Sequence, residues 1–152
     1  MRVGGLIFVC VVAMLMPAIF AAPARGQAVT TTVTFHNEPF GFPTEAPCVG
    51  IEGFVSGVQT GVMHLSTSAK GTTNVQVTAT GTFTFVSDGL SVSGRFTMWF
   101  GGQVNVVNGE FTATFLINGV VSDGSTFRAF AVAHVTFVGT DVIVMFEKAL
   151  CP

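Results

Sequence analysis

Between residues 74 and 86 the chain alternates strictly. Val75, Val77, Ala79, Gly81, Phe83 and Phe85 fall on one face, and Asn74, Gln76, Thr78, Thr80, Thr82 and Thr84 on the other. A hydrophobic period of two predicts a half-buried β-strand, because successive side chains of a strand point to opposite sides of the sheet. Ser87-Asp88-Gly89 supplies a turn. The pattern then resumes with Leu90, Val92, Gly94, Phe96, Met98 and Phe100 against Ser91, Ser93, Arg95, Thr97 and Trp99. Two such runs across a tight turn predict a hairpin.

The same reading extends in both directions. Downstream, Asn108-Gly109 is the dipeptide favoured in type I′ hairpins, and Phe111, Ala113, Phe115 and Ile117 follow on one face. Asn118-Gly119 lies too close to Ser122-Asp123-Gly124-Ser125 to form a hairpin of its own, so the pattern predicts a bulge at 118–119 and a turn at 122–125. Phe127, Ala129, Ala131, Ala133, Val135 and Phe137 form the next inward face, and a last strand after Gly139-Thr140 places Val142, Val144 and Phe146 inward. Upstream, residues 29–37 alternate Val33 and Phe35 with threonines. Residues 38–49, with Pro39, Pro43 and Pro47, predict an irregular loop. Residues 51–58 and 62–69 read as two further strands ending at Lys70-Gly71. No stretch carries helical periodicity. The pattern predicts an all-β, single-domain antiparallel meander of about eight strands, most economically a closed up-and-down barrel, which removes exposed edges, with a two-sheet β-sandwich as the alternative.

The first 28 residues stand apart. Arg2 precedes a charge-free apolar run from Val3 to Phe20, followed by small residues at 21–24 and 26–28, which is the organisation of a secretory signal peptide, with cleavage after Ala24 or Ala28. On this reading residues 1–28 are removed and 29–152 form the secreted domain, with no membrane anchor after processing. Without the leader, which holds two of the six Lys and Arg residues, the domain has 124 residues and a net charge of −4. Cys10 leaves with it. Cys48 and Cys151 remain as an even pair in an exported chain, where a disulfide persists.

The inward face mixes large and small side chains. Phe83, Phe85, Phe96, Met98, Phe111 and Phe115 alternate across the strands with Ala129, Ala131 and Ala133. An eight-stranded barrel is either filled by its side chains or just wide enough for one small ligand. These nine residues are the candidate lining of an apolar cavity; the other reading is that the small residues only fit the barrel's taper. On the polar-side register, Trp99, Leu116, Phe130, Val132, Ile143 and Met145 form an apolar patch that calls for cover, either by the 38–50 segment or by a second copy in a homodimer.

Composition narrows the chemistry. A chain that is 49% hydrophobic and only 9% charged is far from the disordered signature, and eight acids against six bases leave no basic surface for nucleic acid. No metal-ligand spacing, no cofactor fingerprint and no nucleophile elbow occurs; the nearest approach to the last, residues 89–93, lacks the final glycine. His36, His64 and His134 share the side of the threonines and serines, which predicts solvated positions. An enzyme would have to draw on Glu52 or Glu110 paired with Arg128 or His134 at a barrel mouth. One Trp and no Tyr do not make a carbohydrate platform.

Residues 37–53, reading NEPFGFPTEAPCVGIEG, together with Ser122-Asp123-Gly124-Ser125 and Cys151, resemble small secreted bacterial β-barrel proteins of unassigned function, over most of the domain. More distantly the pattern is similar to calycin-like and allene-oxide-cyclase-like barrels. That resemblance is architectural, and it implies a barrel around an apolar small molecule; no catalytic motif of those families maps onto this chain. The expectation is therefore a secreted barrel that holds a small apolar ligand without a cofactor. The alternatives are a secreted structural or interaction protein with a packed core, and a barrel enzyme of cyclase or hydrolase type.

Overall fold

The structure, a computed structural model, describes residues 28–139 and 141–151. The proposed leader and its cleavage sites, apart from Ala28, lie outside them. Seven strands follow one another: β1 (Val29–Ala46), β2 (Ile51–Thr67), β3 (Thr73–Ser87), β4 (Leu90–Val104), β5 (Asn108–Val121), β6 (Thr126–Val138) and β7 (Asp141–Leu150). They form one antiparallel sheet in the order β1 to β7, so every strand pairs with its neighbours in sequence. The all-β meander is as the alternation predicts. It is one continuous sheet rather than two, and the ladder does not close, since β1 pairs only with β2 and β7 only with β6.

Several local expectations are corrected. Residues 38–46 are not a loop but the second half of β1. Pro39 and Pro43 are tolerated because β1 is an edge: opposite Val58 and Phe54, four residues apart, they share the phase whose N–H would point away from β2, so no ladder bond is lost. A register shift between Phe35 and Glu38 breaks β1 into two pairing segments, with Asn37 at φ 52° and its N–H donated to Thr60 Oγ1 at 3.0 Å. Residues 51–67 form one strand instead of two. Asn108-Gly109 does not turn but begins β5; Asn105 makes the turn, its Oδ1 accepting the N–H groups of Val107 (2.8 Å) and Asn108 (3.0 Å). There is no bulge at 118–119, where pairing is continuous with Arg95 and Gly94 on one side and Arg128 and Phe127 on the other. The 122–125 turn is present, with Gly124 at φ 88° and Asp123 Oδ1 accepting from the Ser125 N–H (2.8 Å) and hydroxyl (2.6 Å).

Glycine (18 residues) and phenylalanine (16 residues) meet across the sheet. On its inner face the register pairs Phe35 with Gly61, Phe40 with Gly57, Gly57 with Phe83, Phe83 with Gly94, Gly81 with Phe96, Gly102 with Phe111, Gly109 with Phe137 and Gly119 with Phe127. Inner-face glycines let a sheet coil sharply, and an aromatic ring laid over the gap restores the lost packing. At Gly57 the approach is so close that a Cβ would strike the Thr82 carbonyl oxygen and come within 2.8 Å of the Phe40 ring.

The coiling gathers the inner faces into two packed layers. The larger joins Met63, Leu65, Val75, Val77, Ala79, Met98, Phe100, Phe111, Ala113 and Val135. In it Phe111 stacks against Phe100 and Phe137, with centroids 5.3 and 5.9 Å apart. The smaller, near the opposite strand ends, joins Ala46, Phe85 and Val92. Phe40 of β1 reaches across to Phe96 of β4, edge to face at 5.6 Å, a contact between strands that are not neighbours in the ladder. The Cys48–Cys151 disulfide, with Cα atoms 6.0 Å apart, ties the β1–β2 turn to the chain just beyond β7. The two free edges are thus drawn toward each other by a covalent link instead of hydrogen bonds.

Candidate functional site

Between the two packed layers lies a cavity of about 990 Å³, bounded by residues of all seven strands. That is the upper end of the size range of small-molecule sites. Seven of the nine predicted lining residues are on its wall: Phe83, Phe85, Phe96, Met98, Phe115, Ala131 and Ala133. The other two, Phe111 and Ala129, are buried but off the wall; Phe111 is the middle ring of the aromatic stack in the larger layer. Ala131 and Ala133 oppose Phe115 and Ala113 on β5 and Ala149 and Glu147 on β7, and both alanines stand on the cavity wall.

The cavity wall is closed on the β3–β4 side, where Val77, Phe85, Val92 and Met98 are buried, and open on the β1–β7 side, where Glu38, Pro39, Met145 and Glu147 are exposed. Pro39 and Pro43 give a physical reason for that opening. They remove two of the donors that β1 would offer to β7, so hydrogen-bonded closure is impaired along this seam.

The register of β7 brings groups to the cavity that the alternation alone assigns to the outside. Val138 pairs with Asp141 and Phe137 with Val142, but Thr136 pairs with Val144, so Ile143 is an extra residue. Past this bulge the phase inverts. Met145, Glu147 and Ala149 share the inner phase of Val135, Ala133 and Ala131, while residues 144 and 146 pair with outer Thr136 and His134. The predicted inward position Val144 is therefore corrected, as is Met145, expected on the outer patch and found on the cavity wall; the side chain of Phe146, also expected inward, lies outside those described.

Glu147 is the consequence that matters chemically. It stands on the cavity wall with Glu38 and Glu45 of β1, together with the polar side chains of Gln59 and Thr44. Partial enclosure, and then the like charge of Glu45, push the Glu147 carboxyl above the ordinary glutamate range. Sequence reasoning missed this group because an unpredicted bulge reverses the strand.

The other candidates lie elsewhere. Glu110 accepts a hydrogen bond from Gln103 Nε2 at 3.0 Å, Arg128 donates through Nε to Asn118 Oδ1 at 2.9 Å, and His134 sits between Thr112 (2.8 Å) and Thr136 (3.1 Å), all on the outer face. Glu52 is exposed beside Glu45 in the β1–β2 register. None of the four lines the cavity, so the pairing that a barrel enzyme would have to draw on is not on its wall. His64 meets Thr32 at 3.0 Å, also on the outside. Among the described residues no group of three or more His, Cys, Asp or Glu is arranged to hold a metal ion.

On the outer face, Trp99, Thr114, Val132 and Lys148 form one row across β4 to β7, and Thr97, Leu116, Phe130 and Leu150 the next. Trp99 is 46% exposed and Ile143 61%. The 38–50 segment does not cover this patch: its strand half lines the cavity instead, as does Val132.

Comparison with protein-family models, with curated proteins and with solved structures finds no match to this chain. Among the described residues no helix is long and apolar enough to cross a membrane.

Proposed function

We propose that this chain is a secreted β-sheet container that holds a small apolar molecule in its interior. The observation that carries the reading is the roughly 990 Å³ cavity, walled chiefly by Phe, Val, Met and Ala side chains and flanked by two packed layers. An apolar molecule seated there leaves water and gains dispersion contacts with those walls. Secretion is supported by the leader-like residues 1–28 and by the Cys48–Cys151 bridge, a bond that persists in oxidising compartments. The likeness to small secreted barrels and to calycin-like barrels fits the same reading.

The test is titration of the disulfide-intact protein with N-phenyl-1-naphthylamine, a neutral aromatic probe whose fluorescence rises in apolar surroundings. Saturable binding is expected in the wild type. Ala131→Phe, which places a ring in the cavity, should abolish most of it while far-ultraviolet circular dichroism stays unchanged. Absence of saturable binding to the wild type, or undiminished binding to a folded Ala131→Phe variant, overturns the proposal.

A second reading, a homodimer or other surface interaction, rests on the exposed outer rows around Trp99 and Phe130. Size-exclusion chromatography with light scattering tests it directly: a monomer at micromolar concentration rules out the dimer. The cyclase or hydrolase alternative draws no support from Glu52, Glu110, Arg128 or His134, which stand off the cavity.

A further inference from the structure

The charged groups on the cavity wall are all of one sign. Glu38, Glu45 and Glu147 line it, whereas Lys70, Arg95, Arg128 and Lys148, the four cationic side chains of the described chain, do not. Lys70 sits in the β2–β3 turn. Arg95 and Arg128 flank Asn118 on the outer face, and Lys148 occupies the outer phase of β7, opposite Val132. The arrangement is polarised within the cavity as well. The carboxylates are on β1 and β7, the two strands that border the open seam, while the β3, β4 and β5 walls are apolar.

We infer that the cavity takes a cationic amphiphile, with an apolar body among the phenylalanines and an ammonium group held at the seam by Glu45 and Glu147. The inference rests on the proposed container function and specifies its ligand class. Three features support it. A carboxylate pair without a neighbouring cation repels itself, and a bound ammonium relieves that repulsion while its N–H groups donate to the carboxylate oxygens. The rings of Phe40 and Phe42, on the same strand as Glu45, offer faces that attract cations further. An anionic amphiphile such as a fatty carboxylate would meet three like charges at the same rim.

The experiment compares three ligands of equal chain length, decylamine, decanol and decanoate, by calorimetry and by displacement of N-phenyl-1-naphthylamine from the disulfide-intact protein. Decylamine is expected to bind about tenfold tighter than decanol, with decanoate weakest. Glu45→Gln with Glu147→Gln should erase the advantage of decylamine and leave decanol unchanged; Glu38→Gln provides a further variant should the double substitution not fold. The ranking in the wild type needs no variant at all. Equal binding of decylamine and decanol, a preference for decanoate, or a preference for the amine that survives in the folded double variant overturns the cationic-ligand inference while leaving the apolar container standing. If none of the three binds and the probe does not either, both fall together.

Discussion

Replacing Gly57 and Gly101 in turn by alanine should change stability in opposite directions, although both lie within strands of one sheet. At Gly57, on the inner face, a Cβ would strike the Thr82 carbonyl oxygen and lie 2.8 Å from the Phe40 ring. The ring can rotate away, but the carbonyl belongs to the neighbouring strand and can move only if the sheet uncoils. Overpacking of this kind costs about 1–3 kcal/mol. At Gly101, on the outer face between Gln76 and Thr112, the nearest atom to a Cβ is the Val75 oxygen at 3.7 Å, an ordinary contact. There the methyl group chiefly restricts the unfolded chain, which stabilises by roughly 0.4–1 kcal/mol. For a domain of this size, at about 4 °C per kcal/mol, the two changes correspond to a fall in Tm of about 4–12 °C and a rise of about 2–4 °C. Thermal melts followed by circular dichroism under oxidising conditions measure both. Equal effects at the two sites, or a neutral Gly57→Ala, would refute the argument that glycine–phenylalanine pairing sets the curvature of the sheet.

Three further outcomes follow from the geometry. Cys48→Ser should lower stability by about 4–5 kcal/mol in the chain-entropy model, because the bridge closes a loop spanning 103 residues; a fall in Tm of only a degree or two would show that the free edges are held by other means. Glu147 has a folded-state pKa raised above its unfolded value by enclosure and by Glu45, so its stabilising contribution is complete below the ordinary value of 4.5 and is lost as pH rises through the raised value. Glu147→Gln should therefore raise Tm at pH 7 and leave it nearly unchanged at pH 4, and a variant equally stabilised at both would separate the effect from titration. Trp99→Thr, on the solvent face, should alter stability by no more than about 0.5 kcal/mol in a monomer; a larger loss that depends on protein concentration in the melts would instead place Trp99 in an interface between copies.

Much of this protein was legible in the order of its residues. Alternation with a period of two is a local property, since a strand's side chains face opposite ways whatever surrounds it, and the inward faces of β3, β4, β5 and β6 follow from it directly. So does most of the cavity wall, because Phe83, Phe96, Phe115 and Ala131 lie on those strands. The pairing of Cys48 with Cys151 needed only the count of cysteines outside the proposed leader.

What the chain order could not decide was where the period slips and which strands are edges. A bulge depends on the partner's hydrogen-bonding pattern, so the extra residue at Ile143 became visible only in the register of β7 against β6, and with it the inward turn of Met145 and Glu147. Prolines at 39 and 43 read as loop until β1 proved to lack a neighbour on the side where their missing N–H groups point. The acidic rim is the product of both: Glu38 and Glu45 of β1 line the same cavity as Glu147 of β7 because a one-residue slip turns β7 over and a proline-bearing edge lies across the seam from it.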